Sequence, residues 1–152
     1  MKLKGCIIAL SISALASPAM AGSYEWTAGW GMGVSEYHVS DGNNNELHIS
    51  CPDDEYSGYI SATATINGKM YSSSNQSGDG FDVIVDGEVY SNPFFTDCRV
   101  CGDIFHSFWE PFRNANNLLV SVEGEMVRLP TTNLSDVLHP LESELNSCHA
   151  SW

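Results

Sequence analysis

The residue pattern with the most chemical potential is Cys98-Arg99-Val100-Cys101. A C-x-x-C pair at the start of a helix can act as a redox dithiol, because the helix dipole and the free N–H groups of the first turn stabilise a thiolate. Phe94-Phe95 precedes the pair, a helical pattern follows it, and Leu129-Pro130-Thr131 places a proline downstream. A thioredoxin-like site, however, needs a βαβ crossover between its cysteines and that proline. Residues 102–129 read instead as one helix and one hairpin. The pair is therefore expected to be a structural disulfide, with thiol–disulfide exchange as the enzymatic alternative. His106 could join it at a metal, but zinc sites of this type take two ligand pairs. Cys148 and His149 are adjacent and badly spaced to supply the second. No metal and no cofactor are expected.

Two further groups invite a functional reading. Asp53-Asp54-Glu55 and the stretch holding Asp79, Asp82 and Asp86 are acidic loops. The latter could hold calcium, but its order is not that of an EF-hand. Asp82 and Asp86 also fall within or at the end of a strand. These six residues are read as solvated turns and as candidate contacts for a protein partner. His38 and His48 lie on the polar alternation of consecutive strands, so they are expected to face each other as an ordinary cross-strand surface pair. No serine sits in a G-x-S-x-G elbow, and no catalytic residue is assigned. Trp26, Trp30, Trp109 and Trp152 are read as packing residues and not as a sugar platform.

Composition bounds the partners. The chain has 152 residues, with 6 Lys+Arg against 19 Asp+Glu and a formal net charge of −13. A phosphate backbone requires a basic surface, so nucleic acid is excluded as a partner. Hydrophobic residues make up 43% and aromatics 11%, which is enough for one packed domain.

Residues 1–21 read as a secretory signal peptide. Lys2 and Lys4 are followed by an apolar run from Cys6 to Ala16, then by Ala19-Met20-Ala21, with small residues where signal peptidase needs them. Cys6 opens that run instead of closing it, which argues against lipidation. Removal of this segment leaves residues 22–152 as the domain, with four basic residues against nineteen acids, a net charge of −15. A second stretch of spanning length is absent, so no stable membrane insertion is expected after cleavage. Four cysteines remain, and in an oxidising compartment they read as two disulfides. Three pairings are open; Cys98–Cys101 as a local bridge and Cys51–Cys148 as a long one is favoured.

The elements that must position these residues are mostly hairpins. Strands are expected at Glu25–Trp30, Ser35–Ser40 and Glu46–Cys51, the last two around a loop of Asp, Gly and Asn. Tyr59–Ile66 and Lys69–Ser73 flank Asn67-Gly68, and Phe81–Val85 and Glu88–Tyr90 flank Asp86-Gly87, both strong hairpin signals. Ser72–Gly80 reads as a mobile loop. Ile104, Phe105, Phe108, Trp109 and Phe112 form a helical stripe over Asp103–Asn116, with Asp97 or Asp103 as cap and Pro111 as a blemish. Leu118–Val122 and Met126–Leu129 form a fourth hairpin. Leu134, Leu138, Leu141 and Leu145 suggest a last helix, capped by Thr132, Asn133 or Ser135 and limited by Pro140. The sum is an α+β domain: antiparallel hairpins forming a sheet or sandwich, two covering helices, and disulfide staples.

The order from Phe81 to Leu141 resembles the invasion-associated locus B-like family of small exported bacterial proteins. The resemblance is carried by Phe81-Asp-Val-Ile-Val-Asp-Gly87, a cysteine pair ending in Cys101-Gly102, a helix with Phe105, Phe108 and Trp109, the hairpin Leu118–Leu129 and a final Leu-rich segment. It implies a β-rich domain with a bacterial surface or host-interaction role and no defined reaction, so no active-site residue is carried over.

The expected function is thus a non-enzymatic, acidic binding protein of the bacterial envelope, periplasmic or secreted, with a protein as partner and a basic one as the candidate. A sharper alternative is an inhibitor or immunity-type protein against a basic enzyme such as a lysozyme, recognised by electrostatic complementarity.

Overall fold

The computed structural model describes residues 23–53, 59–73 and 80–150. Its first half is a five-stranded antiparallel meander in the order β1-β2-β3-β4-β5. The strands are β1 (Thr27–Gly31), β2 (Val34–Ser40), β3 (Glu46–Pro52), β4 (Ser61–Ile66) and β5 (Lys69–Ser72). The second sheet has the order β7-β6-β8-β9. It comprises β6 (Asp82–Val85), β7 (Glu88–Ser91), β8 (Leu118–Val122) and β9 (Glu125–Leu129). Helix α1 (Arg99–Arg113) is inserted between β7 and β8, and α2 (Leu134–Val137) follows β9. The antiparallel α+β expectation and the pairing of the hairpins are met.

Alternation decides which face each strand buries. Tyr37, Val39, Leu47, Ile49, Cys51, Ala62, Ala64, Ile66 and Tyr71 enter the core from the first sheet. Val83, Val85, Tyr90, Leu118, Val120, Val122 and Leu129 enter it from the second. Side chains on a strand alternate sides, so every second residue is handed to solvent or core by the same register. Asn67-Gly68 and Asp86-Gly87 have φ of 51°, 82°, 49° and 95°. Such left-handed pairs match the twist of a two-residue hairpin, which is why Asn-Gly and Asp-Gly turn there. Met32-Gly33 turns the β1–β2 hairpin in the same way, at φ 55° and 79°. Met is a poor turn former, and the residue type gave no warning of it.

Helix α1 joins the two sheets. Phe105, Phe108, Trp109 and Phe112 on its apolar stripe are fully buried. Phe112 meets Trp26 edge-on at 5.6 Å between centroids, and Phe108 meets Tyr90 at 5.2 Å. Phe94 packs edge-on against both Phe108 and Phe112. Trp26 donates its indole N–H to the Pro130 carbonyl just beyond β9, and Trp109 donates to the His139 carbonyl just beyond α2. Burying a tryptophan requires such a partner for its N–H.

Two expectations about helices are corrected. Helix α1 begins at Arg99 and not at Asp103, and its N-cap is Cys98 instead of Asp97 or Asp103. The cysteine pair therefore lies in the first turn. Pro111 sits inside this helix on its exposed side without ending it. The last helix is only the single turn Leu134–Val137, with Asn133 as an N-cap that makes no side-chain bond. Leu138 is already extended, at φ −96° and ψ 108°. Pro140 disfavours helical backbone in the residue before it and cannot donate an N–H, so the leucine spacing is not continued as helix. Leu145 is exposed in consequence.

The two disulfides are Cys51–Cys148 and Cys98–Cys101, with sequence separations of 97 and 3. Cys51 and Cys148 are fully buried. Their bridge fixes the C-terminal segment to β3. In the chain-entropy description a loop of that length is worth about 4.7 kcal/mol, against about 2 kcal/mol for the four-residue loop of Cys98–Cys101. Removing the long bridge by Cys51→Ala with Cys148→Ala is accordingly expected to cost at least twice as much unfolding free energy as Cys98→Ala with Cys101→Ala. Chemical denaturation followed by tryptophan fluorescence measures both; equal losses would refute the assignment of the long bridge as the main staple.

Candidate functional site

The acidic candidates are separated by the fold. Asp86 is committed internally. Its carboxylate accepts the N–H of Asn117 at 2.8 Å and of Asn116 at 3.1 Å, which ties the β6–β7 turn to the segment after α1. Asp82 is half-buried on the outer face of the second sheet, opposite Ser121 and Ser91. It borders a shallow cleft of about 240 Å³, lined also by Tyr71, Gly80 and Glu123. Asp54, Glu55 and Asp79 lie outside the described residues. So do the expected signal peptide, Trp152 and most of the expected loop Ser72–Gly80.

Asp53 is exposed but held. The Trp30 indole N–H donates to Oδ2 of Asp53, and the Ser35 hydroxyl donates to Oδ1 at 2.9 Å. Ser147 Oγ lies 3.0 Å from Ser35 Oγ. Ser35 faces Cys51 across β2–β3, so this corner sits beside the long disulfide. The donor bonds from Trp30, Ser35 and Ser147 favour the ionised carboxylate and hold Asp53 below the ordinary aspartate range. Burial, helped by the Asp53 charge, pushes the neighbouring Tyr37 phenol up. The grouping escaped sequence reasoning because Ser147 is 112 residues from Ser35, and only a closed disulfide brings them together.

The outer face of the first sheet carries the histidine pair. His38 and His48 are register partners, with ring centroids 6.3 Å apart. His38 lies 3.8 Å from Glu46 and His48 lies 3.7 Å from Glu36, each pair being diagonal across the β2–β3 ladder. Thr63, Thr65 and Met70 complete a shallow depression beside them. Among the described residues no group of three or more His, Cys, Asp or Glu side chains is placed to hold a metal ion.

Cations are few and partly engaged. Lys69 Nζ lies 3.7 Å from Glu123 and 4.8 Å above the Tyr71 ring. Arg113 pairs with Glu110 at 3.3 Å and donates to the carbonyls of Leu138 and Ser135. It is a tether between α1 and α2. Arg99 and Arg128 are exposed and have no carboxylate within 4 Å among the described residues.

At the start of α1 the Cys98 sulfur accepts the N–H of Cys101 at 3.2 Å. Cys98 is exposed, Cys101 half-buried, and the first turn contains no acidic residue. Val100, between them, is 67% exposed. The strand order around the helix is wholly antiparallel, unlike the βαβ scaffold of a thioredoxin-like site.

Fold and surface together define a disulfide-stapled, two-sheet α+β domain with a helix whose aromatic stripe is buried in the shared core. Among known families, the YfjT family matches residues 24–138, and the chain belongs to it. The match spans both sheets, α1 and α2. No curated protein and no solved structure matches the chain. Among the described residues no helix is long and apolar enough to cross a membrane.

The Asp53 corner makes a pH-dependent contribution with a definite sign. A carboxyl whose folded pKa is depressed stabilises the fold above its unfolded value and loses that contribution as pH falls through the folded value. The stability difference between the native protein and Asp53→Asn should hold from pH 7 to about 4 and shrink below that. Thermal melts between pH 7 and 2.5 read it directly. A difference that stays constant across the range would show that the ionised carboxylate is not what the corner requires.

Proposed function

We propose that this chain is an exported binding domain whose partner is a cationic protein. The observation that carries the reading is the charge imbalance, a formal net −13 over 152 residues. Of the four basic residues after position 21, Lys69 is paired with Glu123 and Arg113 is tied into the α1–α2 junction. The exterior therefore presents carboxylates with little internal compensation. A field of one sign steers an oppositely charged partner and accelerates encounter more than it adds affinity.

The export part of the reading is supported by the basic–apolar–small pattern of residues 1–21 and by two closed disulfides, which persist in oxidising compartments. The resemblance of Phe81–Leu141 to the invasion-associated locus B-like proteins agrees with an envelope placement. A basic enzyme of the lysozyme type is the sharpest form of the partner, and an inhibitory or immunity role its consequence. Of the acidic candidates, Asp82 borders the cleft, which Glu123, itself paired with Lys69, also lines. Asp53 contributes charge while remaining bound to Trp30 and Ser35.

Binding of residues 22–152 to a basic lysozyme, followed by surface plasmon resonance, is expected to weaken by about tenfold or more between low salt and several hundred millimolar salt, mostly through the on-rate. Asp82→Lys with Glu123→Lys should lower the on-rate severalfold at low salt. Binding that is absent, or indifferent to salt and to both reversals, would remove the cationic-partner reading.

A further inference from the structure

The two disulfides occupy opposite environments. Cys51–Cys148 is sealed in the core, where no external thiol can reach it. Cys98–Cys101 is at the surface and closes only the first turn of a helix. Its contribution as a staple is small for that reason, because a short loop removes little freedom from the unfolded chain. Its chemical setting is nonetheless specific. Cys98 is the N-cap of a 15-residue helix, its sulfur already receives the Cys101 N–H at 3.2 Å, and Arg99 follows it directly. The first turn itself holds no carboxylate, and Asp97, directly before Cys98, is engaged by the Tyr59 hydroxyl. The N-cap position, the Cys101 N–H and Arg99 favour a thiolate at Cys98.

We propose that Cys98–Cys101 is an exchangeable disulfide that trades electrons with cysteine thiols of other proteins, Cys98 being the sulfur that is attacked and Cys101 the resolving partner. A substrate thiolate attacks Cys98 Sγ, the Cys98–Cys101 bond breaks, and Cys101 leaves with the electron pair and takes a proton. A second substrate thiolate then attacks the substrate sulfur of the mixed disulfide. The substrate becomes a disulfide, Cys98 leaves as a thiolate, and the pair has gained two electrons. The reverse sequence, with an external disulfide such as oxidised glutathione, restores the bond. Exposed Cys98 and Val100 form the approach side. Half-buried Cys101 is positioned to reclose the bond instead of meeting a partner. The proposal is independent of the cationic partner, and its test contains none.

The native protein, with both disulfides formed, is equilibrated at pH 7 in buffers of varied reduced-to-oxidised glutathione ratio, quenched in acid, and alkylated for thiol counting by mass. The expected result is two thiols, mapped to Cys98 and Cys101, appearing within the range of those buffers while Cys51–Cys148 stays closed. Release of no thiols, or of all four together on unfolding, would overturn the proposal. A second measurement uses Cys101→Ser, in which Cys98 is free. Its alkylation by iodoacetamide should reach half-maximal rate at a pH clearly below that of free cysteine, and at pH 6 run about threefold or more faster than free cysteine. A half-rise near pH 8.5, as for an ordinary thiol, would count against it. Cys98→Ser, leaving Cys101, should react more slowly than Cys101→Ser; the opposite order would reverse the assigned roles and defeat the proposal as stated.

Discussion

The packing of one aromatic stripe is the constraint on which this molecule depends. Phe105, Phe108, Trp109 and Phe112 all lie on one side of α1 and are all fully buried. Neither sheet of so small a domain could cover its own apolar face. The stripe enters the core they share, and Trp26, Phe94 and Tyr90 lock onto it edge to face. Removal of one ring from such a set leaves a cavity that a close-packed interior cannot collapse. The helix therefore ties the segment leading into β1 to the β7 side of the second sheet.

The remaining ties extend that arrangement towards the C-terminus. Trp26, Trp109 and Arg113 each donate to carbonyls of the segment that follows β9. That segment has almost no regular structure, so its backbone carbonyls need partners from elsewhere. Cys148 then closes onto Cys51 and holds the C-terminal segment against β3. The Asp53 corner with Trp30, Ser35 and Ser147 exists because of this closure. Charge follows a different logic. A surface with so few cations gains nothing from internal pairing, and its self-repulsion is tolerated because the core and the long disulfide hold the compact state.

Much of this was legible beforehand, and the reasons are local. Period-two alternation placed Tyr37, Val39, Leu47 and Ile49 inward, and Asn-Gly and Asp-Gly located two hairpins, because side-chain direction and left-handed turn backbone are properties of neighbouring residues. The start of α1 was less readable. An N-cap is recognised by side-chain oxygen, and Cys98 caps with sulfur, so the true start at Arg99 was displaced to Asp103. The leucine period after Thr132 also misled, since spacing alone does not register that Pro140 denies the helix its next turn.

Composition, the four late cysteines, the hairpin turns and the apolar stripe of α1 follow from the order of residues alone, since each rests on chemistry within a few positions of the chain. Three things required the folded chain. The roles of the acids divided only when Asp86 met the N–H groups of Asn116 and Asn117 and Asp53 met Trp30. The cysteine pairing, one of three possible, was decided when the tail came to rest against β3. The contrast between a sealed bridge and an exposed one is a matter of burial, and burial is set by contacts between residues far apart in the chain.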